Sequence, residues 1–451
     1  MNLVNWGVDL MTTVAFHTMG CKVNHYESEA MMDIFKNRDY NIVDFENKAD
    51  IYVINSCTVT NSAASKSRKY ARRAKRRNPQ ATVVMVGCYS QVSPEEVKNI
   101  EEIDLILGTD NKKDIVDIVE KSTDYEKKDL DNIVNYRDLT EYEDLKIENL
   151  SQTTRGYIKI EEGCNQFCSY CIIPYARGPV RSRKKESVLK EVKQLVDQGV
   201  KEIVLTGIHL GLYGYDWDQE TALLDLIESI ININKLGRVR LSSIEITEIS
   251  DRLINLMAES PKICEHLHLP LQSGSDEILD KMNRPYTRSY FQKKVDKIRK
   301  KMPDIAITTD VMVGFPGEKE KHFQDTYDLI KNIGFSRLHV FPYSVRKGTP
   351  AADMSNKVPG DIKKNRSKKL RELNKKLMLT YQNRFIGKKR KIIIEEKRDY
   401  DSNLLTGITG NYLRVLLEGK EDLMGNMIEV KLTDSYNYEK VRGEVAKKKE
   451  L

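Results

Sequence analysis

The chain has 451 residues, with 40% hydrophobic and 31% charged side chains, seven cysteines and a formal net charge of +7. That composition carries enough apolar mass for full cores and excludes a disordered, collagen-like or disulfide-dense small protein. No apolar run reaches the roughly 18 residues a bilayer span needs, and Met1–Leu10 lacks the basic-then-apolar order of a signal peptide. The basic excess permits a polyanionic partner without requiring one. An odd number of cysteines without a secretion signal points to a reducing, cytoplasmic setting, where thiols bind metal or act in catalysis.

The elements, in chain order, begin at Met11; Met1–Leu10 fits no pattern, so the natural start is expected at Met11. Short apolar runs at Thr13–Thr18, Ile51–Asn55 and Ala81–Val86 end at Met19-Gly20-Cys21, Ser56-Cys57 and Gly87-Cys88. Amphipathic helical stretches separate them, which predicts a parallel α/β sheet. In such sheets the functional edge lies at the strands' carboxyl ends, so Cys21, Cys57 and Cys88 are expected to converge. Residues 121–154 are polar and aperiodic, and read as a linker or surface-running connection.

The middle region repeats one pattern. Runs at Tyr157–Glu161, Glu202–Leu205, Val239–Leu241, His266–Leu271, Ile307–Val313 and Leu338–Phe341 each end in a polar or glycine-containing segment and lead into a helix-like stretch. Six βα units predict an open (β/α)6 barrel with polar residues gathered at one rim. Asp361–Leu379 reads as a basic helix. Beyond Tyr381, runs at Lys391–Glu395, Asn403–Thr409, Tyr412–Leu417 and Met427–Thr433, punctuated by Gly407, Gly410, Gly419 and Gly425, predict a small antiparallel β-barrel of the oligonucleotide-binding kind. The expected class is therefore α/β multidomain. Its parts are an N-terminal domain at 11–120, a linker at 121–154, a barrel domain at 155–380 and a small β-barrel at 381–445.

The sharpest chemical signal is Cys164-x-x-x-Cys168-x-x-Cys171. Thiolates select iron–sulfur clusters or zinc. A closed cluster takes four protein ligands, so three leave one iron open to a substrate or cofactor. The alternative is a zinc site completed by a distant histidine, and no histidine stands at zinc-finger spacing.

Gly163-Cys164-Asn165-Gln166-Phe167-Cys168-Ser169-Tyr170-Cys171, continued by Ile172-Ile173-Pro174-Tyr175-Ala176-Arg177-Gly178, resembles the radical S-adenosylmethionine (SAM) methylthiotransferases. Thr18-Met19-Gly20-Cys21-Lys22-Val23-Asn24, Asn55-Ser56-Cys57-Thr58-Val59-Thr60 and Val86-Gly87-Cys88-Tyr89 are similar to that family's N-terminal domain. Leu269-Pro270-Leu271-Gln272-Ser273-Gly274-Ser275 and Asp310-Val311-Met312-Val313-Gly314-Phe315-Pro316-Gly317-Glu318 are similar to its catalytic domain, and the tail resembles a TRAM domain, an RNA-binding barrel. The resemblance spans nearly the whole chain from Met11.

The resemblance implies two [4Fe–4S] clusters and SAM. One cluster would sit on Cys164, Cys168 and Cys171, its open iron chelating SAM and its electron releasing a 5′-deoxyadenosyl radical. The second, on Cys21, Cys57 and Cys88, would carry the sulfur that is methylated and inserted. SAM contacts are expected from Tyr170, Thr206, Gly207, His209, Glu245, Gln272, Ser273 and Asp310. For the polar residues at strand ends, loop capping is the alternative. His266 and His268 alternate on a strand and read as ordinary structural residues. Cys264 reads as a buried thiol.

Between Lys66 and Arg77 eight cations fall in twelve residues with no acid. The plain reading is a solvated helix face; the stronger one is that unpartnered like charges, Arg68, Arg72, Arg73, Arg76 and Arg77 among them, meet an RNA backbone. Arg177, Arg181, Arg183, Lys184 and Lys185 are further candidates for a backbone or the SAM carboxylate. Within the family, Gly20-Cys21-Lys22-Val23-Asn24-His25-Tyr26-Glu27 looks most like the bacterial branch that methylthiolates C2 of N6-threonylcarbamoyladenosine at tRNA position 37. That branch implies an ANN-decoding tRNA engaged at its anticodon loop, an electron donor such as flavodoxin or ferredoxin, and no membrane. The alternatives are N6-isopentenyladenosine-37 and a ribosomal-protein aspartate, or, in another class, an RNA-binding protein with structural clusters.

Overall fold

Successive residues of the N-terminal strands send their side chains to opposite faces of one sheet. Ala15, Tyr52, Ile54, Val83 and Met85 lie in one buried cluster, and Val14, Ile51, Val53, Val84 and Val86 in another. The computed structural model describes residues 11–59, 61–121, 133–148 and 154–446. The expectations for Met1–Leu10, for Thr60 and for the parts of the 121–154 stretch at 122–132 and 149–153 lie outside these residues. Its contacts divide the chain into two units, Met1–Asn149 with Ile172–Pro179, and Leu150–Cys171 with Val180–Leu451.

In the first unit β1 (Thr13–Thr18), β2 (Asn41–Val43), β3 (Ile51–Ser56), β4 (Thr82–Gly87) and β5 (Leu105–Ile106) form a five-stranded sheet in the order β2-β1-β3-β4-β5. All four pairings are parallel. The helices Lys22–Lys36 and Asn61–Arg77 make the crossovers that parallel strands require. Part of the expected linker packs here: Leu139, Leu145 and Ile147 are buried, and the Tyr26 hydroxyl donates to the Leu145 carbonyl at 2.7 Å.

In the second unit β6 (Arg155–Lys159) runs into the two-residue strand β7 (Glu161–Glu162), which pairs antiparallel with β8 (Arg181–Ser182). Next come β9 (Glu202–Thr206), β10 (Arg238–Leu241), β11 (His266–His268), β12 (Ala306–Val313) and β13 (Arg337–Pro342). Parallel groups β10-β9-β6 and β11-β12-β13 are joined by parallel bridges from Val239 to Ile263 and from Ser243 to His268. Helices including Lys185–Asp197, Ala222–Ile231, Asp251–Glu259, Arg288–Lys301 and Glu320–Ile333 follow the strands and close one apolar core over them. This is the open (β/α)6 arrangement. The expected basic helix runs over Gly360–Asn383.

The C-terminal strands β14 (Lys389–Ile394), β15 (Leu405–Thr409), β16 (Arg414–Leu417), β17 (Met427–Ser435) and β18 (Lys440–Val445) form a closed barrel in the order β14-β15-β16-β18-β17. Two details correct the sequence reading. Strand β18 was not expected, because its inward positions Val441 and Gly443 are hidden among Lys440, Arg442 and Glu444. The barrel is also not wholly antiparallel: β16 and β18 pair parallel. An odd number of strands cannot close with every neighbour antiparallel.

This barrel is fixed to the parallel strands by buried charge. Glu202 lies between Arg238 and Arg240, which donate in turn to the carbonyls of Ile408 at 2.7 Å and Thr409 at 3.0 Å. Tyr412 stacks on His266 at 4.3 Å. Burial opposes the charge on Glu202, but Arg240 and Arg238 outweigh it and hold its carboxyl down at about 2. The stabilisation from this depressed carboxyl is complete above the ordinary value of 4.5 and is lost as pH falls toward about 2. Glu202→Gln leaves two guanidinium groups buried without their counter-charge and is expected to cost about 3–5 kcal/mol. Urea unfolding across that pH window checks this: the wild type weakens on acidification, and the variant is weak throughout.

Candidate functional site

The flush register of β1, β3 and β4 decides where the first three thiols lie. Thr18 pairs with Asn55, and Ser56 with Gly87. Cys21, Cys57 and Cys88 therefore follow the carboxyl ends of three adjacent strands. A Cβ on Gly20, whose φ is +109°, would stand 3.2 Å from the Cys57 sulfur. Asn24, one turn into the helix that Cys21 begins, ties these ends together. Its amide donates to the carbonyls of Met19 and Ser56, each at 2.9 Å. Its oxygen accepts from Arg177 at 2.8 Å and from the Cys21 thiol at 3.5 Å.

Arg177 is fully buried in this same unit. It donates to the Cys88 sulfur at 3.2 Å and is paired with Glu27 at 2.5 Å. Glu27 also faces the buried Lys112 at 3.4 Å. Burial raises the Cys88 thiol above its ordinary value, and Arg177 pulls it back. The expectation that Arg177 meets an RNA backbone or SAM is thereby corrected, since its guanidinium is consumed inside the fold. Arg183 is likewise buried against Glu191.

In the second unit Cys164, Cys168 and Cys171 share the loop after β7. Gly163 opens it at φ +87° and Phe167 crosses the left-handed region at +43°. The segment at 281–283 holds the loop: Ser169 N–H donates to the Met282 carbonyl at 3.0 Å, its hydroxyl to Lys281 at 2.7 Å, and Asn283 to the Phe167 carbonyl at 3.1 Å. Cys168 is buried, while Cys164 and Cys171 are partly exposed. Arg284 donates to the Cys168 sulfur at 3.3 Å, and His209 Nδ1 lies 3.3 Å from the Cys164 sulfur. Burial raises the Cys168 thiol and Arg284 offsets part of the rise. Burial would lower His209, but its bonds to Cys164 and Glu248 prevail and push it up to about 11. Among the described residues no three His, Cys, Asp or Glu side chains converge on a single-ion site. Thiolates that each take a different iron of one cluster stand farther apart than ligands of one ion.

The other expected residues lie along the carboxyl-end rim. Thr206 ends β9, and Gly207 follows where a Cβ would come within 2.5 Å of Glu161 Oε2. That oxygen accepts the His209 N–H at 2.6 Å, and burial pushes the Glu161 carboxyl up to about 8. Gln272 sits at φ +59° after β11. Asp310, on β12, faces His268 Nε2 at 3.3 Å. Ser273 turns to Thr326 at 3.3 Å, and Tyr170 lies edge-on to Phe315 at 6.5 Å. Glu245 is engaged by Arg284. Among the described residues, Glu161 Oε1, Ser242 Oγ and Gln272 Oε1 are buried and have no hydrogen-bond partner. His266 and His268 both bond to the Thr308 hydroxyl, and Cys264 is buried with its thiol pushed up to about 11 by burial.

Residues 158–330 match the model of the radical SAM superfamily, and residues 13–108 that of "Uncharacterized protein family UPF0004". The chain is 44% identical over 94% of its length, and 94% of the relative's, to "Threonylcarbamoyladenosine tRNA methylthiotransferase MtaB" of Bacillus subtilis. The chain belongs to the radical SAM methylthiotransferase family. A protein of the same name from Aquifex aeolicus is 39% identical over 92% of this chain and 99% of its own. "tRNA-2-methylthio-N(6)-dimethylallyladenosine synthase" of Carboxydothermus hydrogenoformans is 36% identical over 92% and 96%. In fold, the chain is similar to the radical SAM methyltransferase TsrM of Kitasatospora setae, at TM-score 0.59 and 14% identity over 76% of this chain and 77% of that one.

Membership in this radical SAM family implies a [4Fe–4S] cluster and SAM. The Cys164–Cys171 loop fits the cluster: it offers three thiols, and nitrogens of Gln166, His209 and Arg284 lie against their sulfurs. The unpartnered Glu161, Ser242 and Gln272 atoms fit a polar ligand at the rim.

The basic helix Asn61–Arg77 corrects one premise of the sequence reading. Five of its eight charges have acidic partners. Arg68 pairs with Glu96 at 2.7 Å, Arg72 with Glu102 at 3.4 Å and Lys75 with Asp104 at 2.6 Å, while Arg73 and Arg77 share Glu46. Lys66, Lys69, Arg72 and Arg76 remain exposed. Glu161, Glu248 and Arg284 were missed by sequence reasoning. Glu161 did carry a signal, as an acid inside an apolar run two residues before a motif glycine.

Proposed function

We propose that this chain methylthiolates C2 of N6-threonylcarbamoyladenosine at position 37 of tRNA. The observation that carries the substrate is the near full-length match to relatives named for that nucleoside, at higher identity than the compared relative named for the dimethylallyl nucleoside. Cys164, Cys168 and Cys171 would hold the [4Fe–4S] cluster. When bound, it supplies the electron that splits the carbon–sulfur bond of SAM and yields a 5′-deoxyadenosyl radical. Glu161, Gln272 and the additional candidate Ser242 would orient SAM through their unpartnered atoms, with Gly207 keeping the strand end open. Thr206, His209, Ser273, Asp310 and Tyr170 line the same rim. Glu245, also expected to contact SAM, is paired with Arg284.

Cys21, Cys57 and Cys88 would hold the second cluster as sulfur carrier, with Asn24 and Arg177 fixing the thiols. Gly87, at φ +101°, has no room for a Cβ, which would stand 2.6 Å from Asn55 Oδ1 and 2.8 Å from the Ser56 carbonyl. Gly87→Ala is therefore expected to displace Cys88 and lower bound iron from about eight toward about four atoms per chain. Iron analysis after anaerobic reconstitution checks it.

The tRNA would meet the C-terminal barrel, whose strand order is that of an oligonucleotide-binding fold, and the exposed Lys66, Lys69, Arg72 and Arg76. The adenine must leave its stack to reach the radical. The electron would come from a donor such as flavodoxin or ferredoxin in the cytoplasm. Among the described residues no helix is long and apolar enough to cross a membrane. The test incubates reconstituted enzyme with SAM, reductant and tRNA bearing either N6-threonylcarbamoyladenosine or N6-isopentenyladenosine. Methylthiolation of the first is expected; modification of the second alone overturns the substrate.

A further inference from the structure

Arg284 lies 116 residues from Cys168 in sequence, yet each of its donor nitrogens has a distinct partner. Nη1 donates to the Cys168 sulfur at 3.3 Å, Nε to the Tyr286 hydroxyl at 3.1 Å and Nη2 to Glu245. The Arg284 guanidinium also lies over the Tyr286 ring at 5.0 Å, and the Tyr286 hydroxyl is anchored on the Pro270 carbonyl at 2.9 Å. Glu245 is fixed in turn by the tight turn that follows it. Its N–H donates to Glu248 at 3.1 Å, and its carbonyl accepts the Glu248 N–H at 3.0 Å. Room for Glu248 is made by Gly211, where a Cβ would stand 1.8 Å from the Glu248 carboxylate.

We infer that Arg284 and Glu245 form a paired device that sets the reduction potential of the cluster on Cys164, Cys168 and Cys171, Arg284 by donating to the Cys168 sulfur and Glu245 by aiming and neutralising Arg284. This rests on the proposed assignment of those three cysteines as ligands. Adding an electron makes a cluster more negative, so an N–H donor and a positive charge beside its sulfur favour the reduced form. A guanidinium alone would make reduction easier and the reduced cluster a weaker electron donor. A carboxylate at its far side cancels the net charge while keeping the hydrogen bond. Glu245 is therefore a positioning residue that keeps the cluster strongly reducing.

The two halves of the pair act with opposite sign, and a merely structural role would not produce that. The test is a redox titration of the reduced-cluster electron paramagnetic resonance signal in the reconstituted holoenzyme. The signal is assigned by its change on adding SAM and by its loss in Cys168→Ala. Glu245→Gln keeps the shape and removes the negative charge, so the midpoint should rise. Arg284→Gln removes the positive charge and strands Glu245, so it should fall. Each shift should reach about tenfold in the ratio of reduced to oxidised cluster at fixed potential, about 59 mV for one electron. The double variant Glu245→Gln with Arg284→Gln leaves no charge stranded, guards against a folding defect, and should lie between the two. Unmoved midpoints with full iron, or shifts of one sign in both single variants, overturn the inference. A SAM-responsive signal that persists in Cys168→Ala overturns the ligand assignment, and the inference with it.

Discussion

Replacing Cys164 by alanine is expected to abolish the cleavage of SAM to 5′-deoxyadenosine. The loop that carries Cys164 is pinned from outside, through Ser169 and Asn283, so no other cysteine of this unit is placed to substitute. The remaining cysteines of the second unit are Cys168, Cys171 and Cys264, and Cys264 is buried with its thiol pushed up to about 11. With the cluster assigned to these three thiols and one iron left for SAM, the two that remain would be too few to keep it intact. The substitution also removes the sulfur partner of His209, whose ring would then answer only to Glu248. Chromatography of 5′-deoxyadenosine from reduced enzyme and SAM reads the outcome. Cleavage at the wild-type rate would show that the ligands had been misassigned.

Cys57→Ala should give the opposite separation of activities. SAM cleavage is expected to persist, while insertion of the methylthio group stops. Cys57 is only 7% exposed and follows the central strand of the first unit's three cysteine-bearing strands. Its loss removes one of three thiols but leaves the sheet, which is held by Ile51, Val53 and Ile54, intact. The cysteines, rim residues and core of the second unit are untouched. Measuring 5′-deoxyadenosine and modified nucleoside in the same reaction separates the two steps. Continued methylthiolation would contradict the role assigned to Cys21, Cys57 and Cys88.

Much of this was legible because it depends on local pattern. The apolar runs that became β1, β3 and β4 carry enough consecutive aliphatic residues to declare themselves, and the cysteines at their ends follow from parallel pairing. Strands β2 and β5 have three and two residues, too few for any periodicity. The charges of the helix Asn61–Arg77 were visible, but their partners Glu46, Glu96, Glu102 and Asp104 come from other elements, and ion pairing across sequence leaves no local trace. Arg284 is the clearest instance. Nothing in its neighbourhood in sequence marks it, and its meaning arises only when the chain brings it to Cys168 and Glu245. Exposed pairs such as Arg68 with Glu96 contribute little stability.

Mass spectrometry of nucleosides from tRNA of a strain with and without this gene reads reaction and substrate together. In the deletion strain 2-methylthio-N6-threonylcarbamoyladenosine is expected to disappear, with its unmethylthiolated precursor accumulating. Unchanged levels of that nucleoside, with loss of the isopentenyl derivative or of no tRNA nucleoside at all, would contradict that expectation.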